Sequence, residues 1–262
     1  MIVLPVFNRL CVNNYELFPG TPEGNGIDFA IPKGVTLIAG INGLGKTTLL
    51  NTFFRLLTGP VDLSATGLPF QIGSTLPKEP VALRKDSLRY FAQRVFDTAA
   101  TATASLDLSF GKSKVHITRR LRNLSLSELV IDGTPLDGEE LETEYQGTLC
   151  RLMNLSSFVD VLMLLHFVVF FPERRPGSLW DINAQRQILR AIFLPKKDAA
   201  RVAALERDVG SADSLARNLG YALATQEKQL RDAQELHAVA PTLRAQLRST
   251  QALLDADLVD RI

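Results

Sequence analysis

One short segment constrains the fold more than any other part of the chain. Residues 40–48 read Gly-Ile-Asn-Gly-Leu-Gly-Lys-Thr-Thr, with a β-branched run at residues 35–39 before them and an apolar run at residues 49–57 after them. This order predicts a β-strand, a glycine-rich turn and an α-helix. The segment fits the P-loop pattern G-x-x-x-x-G-K-[ST], and both flanks are of the required kind. We therefore expect an α/β fold built around a strand–loop–helix unit.

The P-loop pattern predicts a site for a polyphosphate. Successive backbone N–H groups of such a loop surround a β-phosphate, and the start of the following helix adds its positive end. We expect Lys46 to contact the β- and γ-phosphates as a catalytic residue, and the Thr47 hydroxyl to ligate Mg²⁺. The predicted cofactors are ATP and Mg²⁺. The candidate nucleotide-binding residues of the loop are Asn42, Gly43, Leu44, Gly45, Lys46, Thr47 and Thr48.

Composition excludes several other classes of protein. The 29 basic and 28 acidic side chains give a net charge of +1, so any nucleic-acid site must be a local basic patch. Two cysteines are too few for a disulfide scaffold and fit a reducing cytoplasm. The longest apolar run, Phe158–Phe171, is shorter than the roughly 20 residues of a membrane span. We therefore expect a cytoplasmic protein without a membrane partner.

The composition changes near residue 195, which predicts a compact domain at 1–195 and a helical segment at 196–262. The second segment has a seven-residue apolar repeat, which is typical of a coiled coil. Pro241 removes a backbone donor, so we expect a kink or a break there. The alternative is a pair of surface helices that pack on the domain. The repeat comprises Leu205, Val209, Ala212, Ala216, Leu219, Leu223, Gln226, Leu230 and Ala233.

The motifs together resemble a known family. The loop filling G-I-N-G-L-G-K-T-T-L-L, the strand-like segments at Leu10–Phe18 and Ile27–Phe29, a hairpin over residues 114–134 and the heptad helix follow one another along the chain. This order resembles the amino-terminal half of the ATP-binding heads of SMC (structural maintenance of chromosomes) and SbcC-like ATPases, within the ABC-type group. The resemblance implies a head lobe with a mixed sheet and helices, followed by a long coiled-coil helix.

The resemblance also implies how such a head works. Two heads close on ATP as a homodimer and open on hydrolysis, and the cycle is coupled to sequence-independent binding of duplex DNA and to a nuclease or effector subunit. The sequence contains no L-S-G-G signature and no apolar strand ending in Asp-Glu. The family keeps both motifs beyond the returning coiled coil, so a downstream segment or another chain must supply them. The alternative is an ATP-dependent assembly switch or docking module with negligible turnover.

Further site residues follow from the resemblance alone. Glu173 stands where these heads carry a Q-loop glutamine, which makes it a candidate catalytic and metal-binding residue; alternatively it is a surface glutamate paired with a neighbouring arginine. Asn13 is expected beside the adenine. Tyr15 is expected either there or in the core. His166, by its position four residues before Phe170, is expected on a helix face or in the core, with a ligand role as the alternative.

Basic residues indicate a candidate DNA surface. The stretch Ser109–Ser127 contains no acidic residue, and its basic side chains would contact phosphates without reading bases. Strand alternation nevertheless places Arg119 on the same face as Val115 and Ile117. The alternative is a solvated hairpin. The candidate DNA-binding residues are Lys112, Lys114, Arg119, Arg120 and Arg122.

A second basic cluster falls on a helix predicted over residues 81–96, where a solvated helix face is the alternative to a DNA contact. It comprises Arg84, Lys85, Arg89 and Arg94. Two biological settings remain open. The loop and a Phe-Phe-Pro-Glu-Arg-Arg segment resemble the SMC-like subunit of Lamassu-type antiphage systems, and double-strand-break repair is the other setting.

Overall fold

The computed structural model describes residues 2–18, 20, 24–41, 43–67, 77, 79–138, 140–171 and 182–259, with the side chains of 183 and 254–259 left aside. The chain forms two compact units, Met1–Val202 and Ala203–Ile262. The first unit contains a sheet, several helices and the glycine-rich loop. The second consists of helix.

The first unit is built on a six-stranded sheet with the order β2-β1-β5-β6-β7-β8. All of its described strand pairs are antiparallel, whereas the resemblance predicted a mixed sheet. Two short strands, β3 and β4, pair separately. The strands are β1 (Val6–Asn13), β2 (Gly26–Ala30), β3 (Val61–Asp62), β4 (Val81–Ala82), β5 (Thr103–Phe110), β6 (Ser113–Arg120), β7 (Leu126–Ile131) and β8 (Thr134–Leu136).

Helices pack on one face of this sheet, so the predicted α/β class is confirmed. Helix α1 lies against β5 and β6, and α3 lies against β7. A π-helical turn, Leu165–Val169, extends α4. The helices are α1 (Lys46–Thr58), α2 (Lys85–Leu88), α3 (Leu141–Met153), α4 (Phe158–Leu164), α5 (Ile182–Phe193) and α6 (Lys196–Val259).

Alternation along the strands decides which side chains enter the core. In β5, every second residue from Ala104 to Phe110 is buried. In β6, the buried residues are Val115, Ile117 and Arg119. Because successive side chains of a strand point to opposite faces, this pattern covers one face with helices and leaves the other polar. The predicted alternation of the hairpin is confirmed.

Two sequence predictions of local structure are wrong. Residues 35–39 form no strand, and Val35 and Leu37 are 100% and 87% exposed. A strand needs a hydrogen-bonded neighbour, and no described strand pairs with this run. The helix expected over residues 81–96 is replaced by β4, the single turn α2 and a 3₁₀ turn at Ala92–Arg94. The buried residues of this segment do not recur at helical spacing.

Helix α6 begins at Lys196, at the predicted boundary. It continues through Pro241 instead of breaking there. A proline removes only one backbone donor, and the hydrogen bonds on either side hold the remaining turns. The apolar residues of the heptad repeat are exposed, with Leu205 at 56% and Val209 at 68%. The coiled coil therefore stays a prediction.

Among the described residues, no single helix is long and apolar enough to span a membrane. One bent pair, Leu141–Met153 with Phe158–Val169, passes by length and composition only. Much of this pair belongs to the core, where Tyr145, Leu149 and Leu162 are fully buried.

Candidate nucleotide-binding site

Two glycines shape the loop before α1. Gly43 and Gly45 have φ angles of 93° and 82°, in the left-handed region that glycine adopts without steric cost. The Gly45 carbonyl accepts the first hydrogen bond of α1, from the Leu49 N–H at 2.8 Å. A β-carbon on Gly45 would lie 3.2 Å from the side chains of Leu17 and Phe18. The turn that leads into α1 therefore uses backbone conformations that favour glycine.

The opposite end of α1 is held by buried side chains. Arg119 Nε donates to the Leu56 carbonyl at 2.9 Å, and the Tyr145 hydroxyl donates to the Leu57 carbonyl at 2.9 Å. These carbonyls belong to the last turn of the helix, where partners within the helix are missing. The helix is therefore fixed at its C-terminal end, and its N-terminal end faces the loop.

Arg119 is fully buried, so the prediction that it contacts DNA is wrong. Its guanidinium forms two hydrogen bonds with the Glu142 carboxylate, at 2.6 and 2.9 Å, and a third with the Leu124 carbonyl at 2.9 Å. The alternation of β6 points this side chain inward. Its role is to bind α1 and α3 to the sheet.

Lys46 and Thr47 lie in the first turn of α1. Lys46 Nζ donates to the carbonyls of Gly40 and Ile41 at 2.7 and 2.8 Å, so its ammonium group lies over the loop. Thr47 is exposed, whereas Thr48 is buried and accepts a hydrogen bond from Thr52 through its carbonyl. A flexible cation and an exposed hydroxyl at the start of a helix are the groups that a polyphosphate and its hard metal ion require. Asn42 lies outside the described residues.

One cavity of about 370 Å³ collects most of the predicted loop residues. Leu17 also lines it, together with Tyr90 and Arg94, for which sequence reasoning assigned no such role. The sequence showed Arg94 only as one member of a basic cluster. Its position beside the loop depends on the 3₁₀ turn Ala92–Arg94, which is far from the loop in sequence. The lining residues are Leu17, Gly43, Gly45, Lys46, Thr47, Thr48, Tyr90 and Arg94.

Comparison with protein families decides the class. The family model described as AAA domain matches residues 9–254. The chain belongs to the AAA domain family. This is an AAA-type ATPase domain of the kind found in SMC- and SbcC-like proteins, so the resemblance drawn from the motifs is confirmed. A comparison with curated proteins finds no match.

Two residues expected near the adenine do not line the P-loop cavity of this AAA domain. Tyr15 is fully buried, and its hydroxyl donates to the Phe91 carbonyl at 3.1 Å. Burial raises the pKa of Tyr15 to about 12, so it stays neutral in the core. Asn13 lines a separate cavity of about 670 Å³ with Thr103. The adenine contact of Asn13 stays a prediction.

The remaining candidate DNA residues of the AAA domain are exposed but lie at two ends of β6. Lys112 and Lys114 stand at its start, and Arg120 and Arg122 stand at its end. At 3.3 Å per residue, Lys114 and Arg120 are about 20 Å apart.

Acidic residues of neighbouring strands lie between the two basic ends. Asp107 contacts His116 Nδ1 at 2.6 Å, and Glu128 lies 3.7 Å from His116 Nε2. Neither acid belongs to the basic stretch Ser109–Ser127, so the sequence of that stretch did not predict that acidic side chains separate its basic residues. The two pairs of cations are therefore separate patches.

Glu173 lies outside the described residues, so its predicted role as catalytic residue and metal ligand stays a prediction. The chain that leads towards it is well packed, since Phe170 contacts the rings of Phe7 and Phe54.

His166 is buried, as expected, and it contacts the Asp62 carboxylate at 2.5 Å. Arg55 of α1 lies 2.9 Å from the other oxygen of Asp62. Burial raises the pKa of Asp62, but the hydrogen bond to His166 and the charges of His166 and Arg55 outweigh this effect. Together they hold the pKa below its usual value.

Proposed function

We propose that this AAA domain binds Mg²⁺ and ATP and hydrolyses ATP as the amino-terminal half of an SMC/SbcC-like head. The observation that carries the proposal is the loop geometry. A left-handed glycine turn places Lys46, Thr47 and the start of α1 around one cavity. Membership of an ATPase family supports the same activity.

The residues of the loop divide the work of binding. The loop N–H groups and the N-terminal end of α1 hold the β-phosphate. Lys46 Nζ exchanges the Gly40 and Ile41 carbonyls for phosphate oxygens, and the exposed Thr47 hydroxyl is the ligand for Mg²⁺. A Mg²⁺ ion held there would supply neutralisation of the phosphate charge. Glu173, as the Q-loop equivalent, supports the metal and the attacking water.

Hydrolysis also needs a carboxylate and a signature motif, and we propose that a downstream segment or another chain provides both. The run at residues 35–39 supports this idea. Apart from Thr36, its side chains are apolar on both faces, the pattern of a strand buried within a sheet. Its exposed residues lack a neighbouring strand among the described residues.

The ATPase cycle is proposed to act on duplex DNA through an ATP-dependent homodimer. The exposed cations at the two ends of β6 support phosphate contacts, and the exposed heptad residues of α6 support pairing with another helix. A nuclease or effector subunit would be controlled by the ATPase cycle. Antiphage defence of the Lamassu type and double-strand-break repair are the two settings we propose.

Phosphate release tests the proposal when this chain is combined with the segment or chain that supplies the carboxylate and the signature motif, and when release is measured with and without duplex DNA. Lys46→Ala should abolish release, whereas Lys33→Ala, which removes an exposed lysine outside the cavity, should not. Phosphate release that persists in Lys46→Ala would refute the proposal that this site hydrolyses ATP. Background turnover in the wild type, together with ATP-driven dimerisation, would instead establish the assembly switch.

A further inference from the structure

Arg94 lies in the P-loop cavity without belonging to the P-loop. It follows α1 by a long stretch of chain, and the 3₁₀ turn Ala92–Arg94 brings it to the cavity that Lys46 and Thr47 also line. The sequence suggested only a solvated or DNA-contacting cation at this position. Its place in the fold therefore calls for a separate explanation.

A neighbouring tyrosine holds the Arg94 side chain. The guanidinium carbon lies 3.4 Å from the centre of the Tyr90 ring, and Nη1 donates to the Tyr90 carbonyl at 2.6 Å. Asn51 of α1 donates to the Tyr90 hydroxyl at 2.6 Å. The stack is thus tied to the same helix whose first turn carries Lys46 and Thr47.

The segment that carries Arg94 is anchored on both sides. The Phe91 carbonyl accepts from the buried Tyr15 hydroxyl, and the Phe96 N–H donates to the Glu16 carboxylate at 3.2 Å. Glu16 immediately precedes Leu17, which lines the cavity. The segment is therefore positioned against the cavity wall by contacts that do not involve the Arg94 guanidinium.

No carboxylate among the described side chains pairs with the charge of Arg94, although arginines at 9, 55, 119, 190 and 217 each have such a partner. Arg94 is exposed, so it is free to leave its stack on Tyr90. The cavity thus presents two cations, Lys46 and Arg94, and glycine-lined backbone amides.

We propose that Arg94 is a second phosphate-binding cation of this site, held ready on Tyr90 and transferred to the polyphosphate when a nucleoside triphosphate binds. The inference rests on the proposed function. A planar guanidinium forms two parallel hydrogen bonds with a phosphate, and this charge-assisted contact is stronger than an exposed cation–π stack. Tyr90 acts as a positioning residue that aims Arg94 at the cavity.

Titration of the full chain with ATP and AMP, by calorimetry in the presence of Mg²⁺, tests the proposal. Arg94→Ala should weaken ATP binding about tenfold, because the two charge-assisted hydrogen bonds to phosphate are lost, less the Tyr90 contacts that they replace. Arg94→Lys should recover part of that loss. AMP binding should change little, because the proposed contact is with the polyphosphate. Arg89→Ala, an exposed arginine of the same segment outside the cavity, is the matched control and should bind like the wild type.

Two failures are distinguishable in this experiment. Wild type and Arg89→Ala that both fail to bind ATP would refute the proposed function. Wild type that binds ATP with Arg94→Ala equal to it would overturn the role of Arg94 alone. Equal losses for ATP and AMP would also overturn it. Thermal unfolding of Arg94→Ala should match the wild type, since the side chain is exposed.

Discussion

At the scale of single residues, buried charges in this domain are paired across distant parts of the chain. Asp62 is fully buried, and its two oxygens face His166 and Arg55. The rings of Phe54 and His166 pack at 4.7 Å, which closes the cluster with an apolar wall. A buried charge without a partner is costly, so these contacts tie β3, α1 and the π-helical turn together.

Asp62→Asn should lower the free energy of unfolding by about 3 kcal/mol at pH 7, because it leaves the Arg55 charge without its counter-ion. Folding lowers the pKa of Asp62, so its contribution is fully present above the unfolded-state value of about 3.9. That contribution is lost as the pH falls through the lower folded-state pKa.

Denaturant unfolding of both proteins between pH 7 and pH 3 checks this prediction. The difference between wild type and Asp62→Asn should shrink below about pH 4. Asp86→Asn removes an exposed carboxylate and serves as the control. A difference that stays constant across the range would contradict the assigned pKa direction.

At the scale of elements, the P-loop helix is held from behind by the sheet and α3. Arg119 and Tyr145 both cap carbonyls of the last turn of α1. The sequence predicted α1 and the inward side of β6 because both follow local periodicity. It missed the antiparallel register that places Asp107 opposite His116, since register depends on pairing between strands.

Arg119→Ala should lower the free energy of unfolding by about 3 kcal/mol, because it leaves buried carbonyls and Glu142 without their donor. The value lies at the lower end for a broken buried pair, since the Glu142 side chain is 28% exposed. Arg120→Ala, on the exposed side of the same strand, should change it by less than about 0.5 kcal/mol. Denaturant unfolding measures both, and equal effects would contradict the burial of Arg119.

The two basic ends of β6 should contribute separately to duplex DNA binding. Charge reversal at Arg120 and Arg122, or at Lys112 and Lys114, should weaken binding of a random-sequence duplex. Each reversal should also flatten the dependence of affinity on salt, because fewer counterions are released. Fluorescence anisotropy over a salt series measures both effects. If the affinity for duplex DNA is unchanged in both variants, the proposal that the hairpin binds DNA is wrong.

At the scale of the whole molecule, the parts recognised from sequence are those whose chemistry is local. Gly43, Gly45, Lys46 and Thr47 lie close together in sequence, so their spacing alone predicted a shared location, and the structure places them around one cavity. Tyr90 and Arg94 reach the same cavity through a turn that no periodicity marks. The run at residues 35–39 was predicted as a strand because its composition suits one, but a strand forms only beside a neighbour.

Calorimetric titration of the wild type and Lys46→Ala with ATP, each with and without Mg²⁺, tests the central claim most directly. The account predicts that the wild type binds ATP, that Mg²⁺ tightens this binding, and that Lys46→Ala weakens it at least about tenfold. Thr47→Ala should remove most of the Mg²⁺ effect, because the hydroxyl is the proposed metal ligand. A wild type that binds no ATP, or a Lys46→Ala variant that binds it equally well, would contradict the account.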